Sequence, residues 1–370
     1  MPQVSKISRI VIASILKPVD ETRMFEKIGN SLVQTGHDVH IIGFPSARGA
    51  TSDPKIHFHP IGTHPFKRIS ITRVFASLTV LFTAIKLKPT HFIITTHELL
   101  FPALWCKLIT GCKVLYDVQE NYYRNIKYTT AFPAGIRTVL ALWVRLKERL
   151  LHPIIATYIL AEKGYVRELP FAQPYLVLEN KITKAVADQY RKKQQTGYSK
   201  LLFTGTLAET TGVLEAIRLT DELNKRDASF TLTIIGHAPS PGVHKQLLAF
   251  AREKNFIHYR GNEQPVPHET ILAAIGMADF GIIWYPDNPS TASSIPTKLY
   301  EYMGLNLPVL IAHNTQSEAL VEQTRSGIIL KQSTDYQVLI SKMKDFRLPE
   351  NKTNPYFDED AGALIELLKQ

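Results

Sequence analysis

Two side chains of opposite charge sit three residues apart in the stretch SSIPTKLYEYMG (293–304): Lys298 and Glu301. That spacing puts both on one face of a helix. Ser293 or Ser294 can cap the helix, and Pro296 or Thr297 can start it, since a first-turn residue needs no free N–H. The unpaired N–H groups of a first turn and the positive end of the helix dipole form an anion site, for which phosphate is a natural occupant. Lys298 adds a full positive charge there. Glu301 can only accept hydrogen bonds and suits the paired hydroxyls of a ribose. One helix start would then offer half of a sugar–phosphate clamp. The same spacing also fits an exposed Lys–Glu pair on an ordinary surface helix, and spacing alone leaves both readings open. The run that follows, LNLPVLIA (305–312), is almost purely apolar, so the charges stand at the mouth of something buried.

Such a site needs a sheet beneath it. RIVIASIL (9–16) is a continuous apolar run, as expected of a strand covered on both faces. Its basic, apolar surroundings resemble a signal peptide, but the run is short and soon meets Lys17, Pro18 and Asp20, so it reads as a first buried strand. DETRMFEKIGNSLVQT (20–35) spaces Met24, Phe25, Ile28, Leu32 and Val33 as a helix, and Gly36 follows where a helix end favours a left-handed residue. Further strands are expected at DVHIIGF (38–44), HFIITT (91–96), KVLYDV (113–118) and IIATYIL (154–160). Short strands alternating with helices predict an α/β, doubly wound parallel sheet. The pattern restarts with a strand at KLLFTGT (200–206), a helix in 210–225 and a strand at FTLTIIGH (230–237). Two Rossmann-like domains facing across a cleft are therefore expected, over 1–190 and 198–350, with a polar hinge KKQQTGYS (192–199) and a tail helix in 351–370 that packs back toward the first domain. Ligands of open parallel sheets bind beyond the C-terminal strand ends, so both sheets can offer loops to one site.

Composition narrows the partners without choosing one. With 43 Lys and Arg against 33 Asp and Glu, the formal charge is +10, which favours nucleic acid, anionic lipid or phosphorylated ligands. Cys106 and Cys112 are the only cysteines, too few for a disulfide framework or zinc site and consistent with a reducing, cytoplasmic setting. The longest apolar run, VFASLTVLFTAI (74–85), is shorter than the roughly 20 residues of a membrane span. Lysines and arginines flank it, so it reads as a helix packed on a sheet or as one that also touches a membrane surface. The segment 122–153 interleaves aromatics with Arg124, Lys127, Arg137, Arg145, Lys147 and Arg149. No nucleic-acid-binding signature accompanies it, and an anionic lipid surface or a solvated helix fits better. No metal is expected: DED (358–360) precedes the tail helix and reads as helix-capping acids, and HFHP (57–60) reads as strand surface.

The segment IPTKLYEYMGLNLPVLIA (295–312) resembles the nucleotide-sugar signature of family 4 glycosyltransferases of the GT-B fold. DETRMFEKIGNSLVQTGHDVHIIG (20–43), VLYDVQENY (114–122) and MADFGIIWYP (277–286) resemble three further family segments in the family's order. The resemblance implies transfer of a sugar, with retention, from a nucleotide-diphosphate sugar to a glycan or lipid-linked acceptor in surface polysaccharide synthesis, in the cytoplasm and at the inner face of the membrane. It implies that Glu301 binds the donor ribose, that Lys298 lies near the diphosphate, and that Gly205, Thr206, Gly236, Gly261, Ser293, Ser294 and Thr297 complete the donor site. It also places Gln119 and Glu120 with the reacting groups, and Arg23, Asp117 and Arg124 on the acceptor or phosphate side. Three departures stand out. Ser293 replaces the first carboxylate of the family's Glu-x7-Glu, Gln119 stands where His is usual, and FTGTLAETTGV (203–213) has neither the Arg nor the Lys that usually grips the diphosphate. Arg23 or Arg124 is the expected substitute charge. The departures leave a catalytically silent scaffold as the rival reading, and a nucleotide-sugar epimerase as a third.

Overall fold

The computed structural model describes residues 7–46, 55–62, 70–129, 132–191, 197–264, 266–285, 288–289, 294–312, 315–331, 333–349 and 355–369. The chain forms two compact units, Met1–Asn180 with Phe357–Gln370, and Lys181–Tyr356.

The first unit is built on a parallel seven-stranded sheet of order β3-β2-β1-β4-β5-β6-β7. Its strands are β1 (Arg9–Pro18), β2 (Asp38–Phe44), β3 (Ile56–Pro60), β4 (His91–Ile94), β5 (Lys113–Val118), β6 (Ile155–Leu160) and β7 (Tyr175–Val177). Alternate side chains of each central strand enter opposite core layers. Val11 and Ala13 join one layer and Ile10 and Ile12 the other, which is why these strands read as unbroken apolar runs. The helices Ile71–Leu87 and Leu100–Thr110 bury Val80, Ala84, Ala103 and Cys106 in the first layer. The Phe357–Lys369 helix closes the other, with Phe357, Leu364 and Leu368 fully buried. Asp358, Glu359 and Asp360 occupy its first turn, where acids favour the helix dipole.

One expected element differs. Over 20–35 the chain makes a π-helical stretch, Arg23–Gly29, before an α-helical turn, Asn30–Gln34. The Glu21 carboxylate accepts hydrogen bonds from the Arg23 and Met24 amides at 2.9 and 3.0 Å. The Lys27 amide reaches the Thr22 carbonyl at 3.0 Å, a five-residue step. The wider turn directs Arg23 into the protein, where it is 1% exposed. Gly36 has the left-handed conformation expected of it, φ 87°.

The second unit holds a parallel six-stranded sheet of order β10-β9-β8-β11-β12-β13. The strands are β8 (Lys200–Thr206), β9 (Thr231–His237), β10 (Ile257–Asn262), β11 (Phe280–Trp284), β12 (Val309–Ala312) and β13 (Gly327–Ile329). Ile182 and Ala187 are buried in a core layer of this unit, so residues 181–190 belong with it and not with the first domain as expected. Of the expected hinge, residues 192–196 lie outside the described residues.

Candidate functional site

In the second unit, three adjacent strands bring glycines into one row. Gly205 of β8 is in register with Gly236 of β9, which is in register with Gly261 of β10. Gly236 has φ 155°, and a Cβ there would lie 1.8 Å from the Gly205 carbonyl oxygen, so no other residue fits. At Gly261 the space is filled by the Tyr259 ring, whose hydroxyl meets His244 Nδ1 at 2.7 Å. The row lies near the C-terminal strand ends, where parallel sheets take ligands.

The Thr297–Gly304 helix docks beside this row. Tyr302 anchors it: its hydroxyl shares a 2.8 Å hydrogen bond with Thr204 Oγ1 of β8, and its ring occupies space that a Cβ at Gly281 of β11 would invade at 2.5 Å. Six of the helix's eight residues are buried, so it is not the surface helix of the blander reading. Its N-cap is Pro296 and not Ser294, without a side-chain cap. Ser294 and Thr297 are half-buried, and Ser293 lies outside the described residues.

Lys298 is 8% exposed. Its Nζ sits 3.4 Å from the Thr204 carbonyl oxygen, 4.1 Å from the centre of the Phe203 ring and 5.2 Å from that of Tyr285. It forms no ion pair among the described residues. Burial pushes its pKa down to about 7, against the pull of nearby Glu301. Glu301 Oε1 is 2.8 Å from His268 Nε2. His268 opens the His268–Met277 helix, and nothing in its local sequence marks it, because its partner lies 33 residues further on. In the neutral loop, Thr206 and Thr210 are exposed, whereas the Thr211 hydroxyl donates to the Thr206 carbonyl at 2.7 Å and accepts from the Ala208 amide at 3.1 Å. Thr211 therefore shapes the loop.

In the first unit, Arg23 and Asp117 form a buried pair. Arg23 Nε donates at 2.9 Å to Asp117 Oδ2 and Nη2 donates at 2.7 Å to Oδ1. Burial opposes the guanidinium charge, but Asp117 outweighs it and raises the pKa. Arg23 Nη1 is buried without a hydrogen-bond partner among the described residues. Gln119 Nε2 also donates to Asp117, at 2.9 Å, so Gln119 is oriented by the pair. Glu120 is exposed and accepts from Asn125 Nδ2 at 2.8 Å. Arg124 pairs with Glu168. The structure thus brings Arg23, Asp117 and Gln119 together, and sets Arg124 in a separate pair. A second buried group has no sequence signature: Lys147 Nζ lies 2.9 Å from His97 Nδ1, and burial lowers the Lys147 pKa to about 8.

No family model matches the sequence, and no curated protein matches it. Solved structures do match over nearly the whole chain. Sucrose-phosphate synthase from Thermosynechococcus elongatus superposes with a TM-score of 0.63 at 11% identity, covering 98% of this chain and 95% of its own. The catalytic domain of starch synthase IV from Arabidopsis thaliana, bound to ADP and acarbose, gives 0.63 at 10% identity over 98% and 95%. The Anabaena protein HepE, in complex with UDP and glucose, gives 0.60 at 13% over 97% and 95%. The fold is GT-B. At these identities the likeness speaks for the GT-B architecture of the two sheets and for nothing finer.

Proposed function

We propose that the protein is a retaining glycosyltransferase of the family 4 type, moving a sugar from a nucleotide-diphosphate sugar to a glycan or lipid-linked acceptor in surface polysaccharide synthesis. The observation that carries this reading is Lys298: a buried lysine without an ion-pair partner among the described residues, in the first turn of a helix docked beside the Gly205–Gly236–Gly261 row. A buried cation is costly unless something neutralises it. A donor diphosphate would do so, and would gain charge as the leaving group departs, so a fixed positive group there lowers the barrier. Glu301, oriented by His268, retains acceptor capacity for a ribose hydroxyl. The complexes with UDP and with ADP among the similar structures support a nucleoside-diphosphate donor. Transfer of this kind needs no conventional carboxylate pair at the reacting centre, because the leaving phosphate oxygen can take the acceptor proton. A putative UDP-N-acetylglucosamine 2-epimerase from Listeria monocytogenes also matches, at TM-score 0.60 and 13% identity. The epimerase reading is separated by its product, since an epimerase consumes no acceptor.

We place the enzyme on the inner face of the membrane, held there by anionic lipid. In the first unit the helices Ile71–Leu87, Leu100–Thr110 and Ala134–Leu150 expose Phe75, Phe82, Trp105, Leu108, Trp143 and Leu146, each about half exposed or more. Glu148 is the only carboxylate in these three helices, and it is buried. Their exposed charges, Lys86 and Arg149, are basic, as are the neighbouring Lys88 and Lys113. An apolar, aromatic face rimmed by cations suits an anionic bilayer, whereas a second copy would bring like charges together. No helix among the described residues is long and apolar enough to cross a membrane.

The test is a calorimetric and thermal-shift screen of nucleotide-diphosphate sugars against the wild type and Glu301→Ala. A donor at 100 times its dissociation constant should stabilise the protein by about 2.7 kcal/mol. Loss of a hydrogen bond to a charged acceptor should weaken binding by about 1.5–3 kcal/mol without unfolding the variant. Equal affinities would remove Glu301 from the donor site.

A further inference from the structure

We propose that Asp38, His40 and His57 form a binding site for a zinc-class divalent ion at the outer edge of the seven-stranded sheet. The site follows from strand geometry. Asp38 and His40 are two residues apart on β2, and so face the same way, as do His57 and His59 on β3. The parallel register sets His40 beside His57 and Ile42 beside His59, and β3 is the edge strand. Asp38 Oδ1 lies 3.2 Å from His40 Nε2 and 3.6 Å from His57 Nε2, and the three donor atoms lie within 4.8 Å of one another. Tetrahedral zinc with ligand bonds of about 2.0–2.1 Å sets its donors roughly 3.3 Å apart, so small side-chain adjustments suffice.

A second observation points to a ligand. His40 is 8% exposed, and its buried Nε2 has no well-aligned hydrogen bond among the described residues, only the 3.2 Å contact with Asp38 Oδ1. Its other ring nitrogen, Nδ1, lies 2.9 Å from His59 Nε2. With Nδ1 as the donor, Nε2 presents its lone pair toward Asp38 and His57. The second Asp38 oxygen, Oδ2, accepts from Arg9 Nε at 2.7 Å. Both inner ligands are therefore oriented by an outer contact, as metal ligands commonly are. The His57 side chain is 52% exposed, which gives an ion access from solvent. Two imidazoles and one carboxylate suit zinc rather than the all-oxygen shells of magnesium or calcium. The group lies at the N-terminal end of β2, away from the strand ends where ligands of parallel sheets bind. Its effect would be to clip the short edge strand β3 to β2. This inference does not rest on the proposed transfer chemistry.

The test uses full-length protein prepared without a histidine tag and stripped by chelation. It is dialysed against zinc, its metal content is measured, and the visible absorption of a cobalt-loaded sample is recorded. The expected result is one equivalent of zinc, a tetrahedral cobalt spectrum and a raised melting temperature. His57→Ala, at an exposed position, should weaken zinc binding more than about 100-fold, and His59→Ala, which removes the outer contact to His40, by about 10-fold. Retention of less than one equivalent by the wild type overturns the proposal. So does retention undiminished in both His57→Ala and Asp38→Asn, which would mean an adventitious ion only. Donor binding measured on the same stripped samples reports separately on the proposed transferase site.

Discussion

Between pH 6 and pH 8, the number of protons that accompany a donor into the Lys298 site should change from near zero to near one. Burial holds the Lys298 pKa at about 7, against an ordinary value of 10.5. At pH 8 the ammonium form is then about one-tenth populated, and at pH 6 about nine-tenths. A diphosphate bound beside the amine restores the preference for the charged form, so binding takes up about 0.9 proton at pH 8 and about 0.1 at pH 6. Calorimetry in two buffers of different ionisation enthalpy, matched in pH, reads this number directly. A nucleotide-diphosphate sugar is the right ligand, because its diphosphate is doubly esterified and does not titrate in this range. In Lys298→Met the uptake should vanish. Binding at pH 8 with no proton uptake would refute the reasoning. The same pKa also governs stability. The folded state gives up a proton that the unfolded chain keeps between pH 7 and 10.5, so the free protein gains stability as pH rises through that window. The full penalty, present below pH 7, is about 5 kcal/mol, and Lys298→Met should therefore raise the melting temperature more at pH 6 than at pH 9.

Two further outcomes are expected. Asp117→Ala strands the Arg23 charge in a site where Arg23 is 1% exposed and should cost about 3–5 kcal/mol in denaturant titration. Arg124→Gln removes a pair whose arginine side chain is 30% exposed and should cost under about 1 kcal/mol; equal losses would contradict the burial difference. Vesicles containing anionic lipid should shift tryptophan fluorescence to the blue through Trp105 and Trp143, which are 55% and 52% exposed. The shift should disappear in a Trp105→Phe, Trp143→Phe double variant, and vesicle binding should survive there but fail with Phe75→Gln, Phe82→Gln. No binding to such vesicles at low salt, or self-association abolished by the Phe75 and Phe82 changes, would rule out lipid as the occupant.

How much of this was legible depended on the distance between partners. The strands at 38–44 and 113–118 appear within the expected bounds, because central parallel strands are covered on both faces and leave an unbroken apolar record. Lys298 and Glu301 were visible because they share one helical turn. Arg23 was not legible as a buried residue. Its helical period marks a polar position, and only the π-helical stretch and a carboxylate 94 residues away turn it inward. His268 and the His97–Lys147 contact were silent for the same reason, with partners 33 and 50 residues off. The Asp38, His40 and His57 group sits in two strands that alternation alone can describe, but alternation does not reveal which strands are neighbours or in what register.

The 203–213 loop carries no basic side chain. Arg23 and Arg124 each have a carboxylate partner, Asp117 and Glu168, so each pair is close to neutral as a unit. Lys298 is only about half charged at neutral pH before a ligand arrives. On the proposed reading, Lys298 would carry only part of its charge while the donor site is empty and would gain the rest on binding, by proton uptake. The cost of charging a buried lysine is then deferred to the moment a diphosphate is present to offset it. Such a site should discriminate strongly in favour of ligands with a full diphosphate, since a neutral sugar or nucleoside offers nothing to charge the lysine. The orphaned Nη1 of Arg23 has the complementary property: its two N–H groups can donate without disturbing the Nε and Nη2 bonds that hold Asp117. If Arg23 acts on a substrate, it therefore does so through Nη1, and Arg23→Lys, which keeps the charge but loses the fork, should lower turnover more than it weakens donor binding.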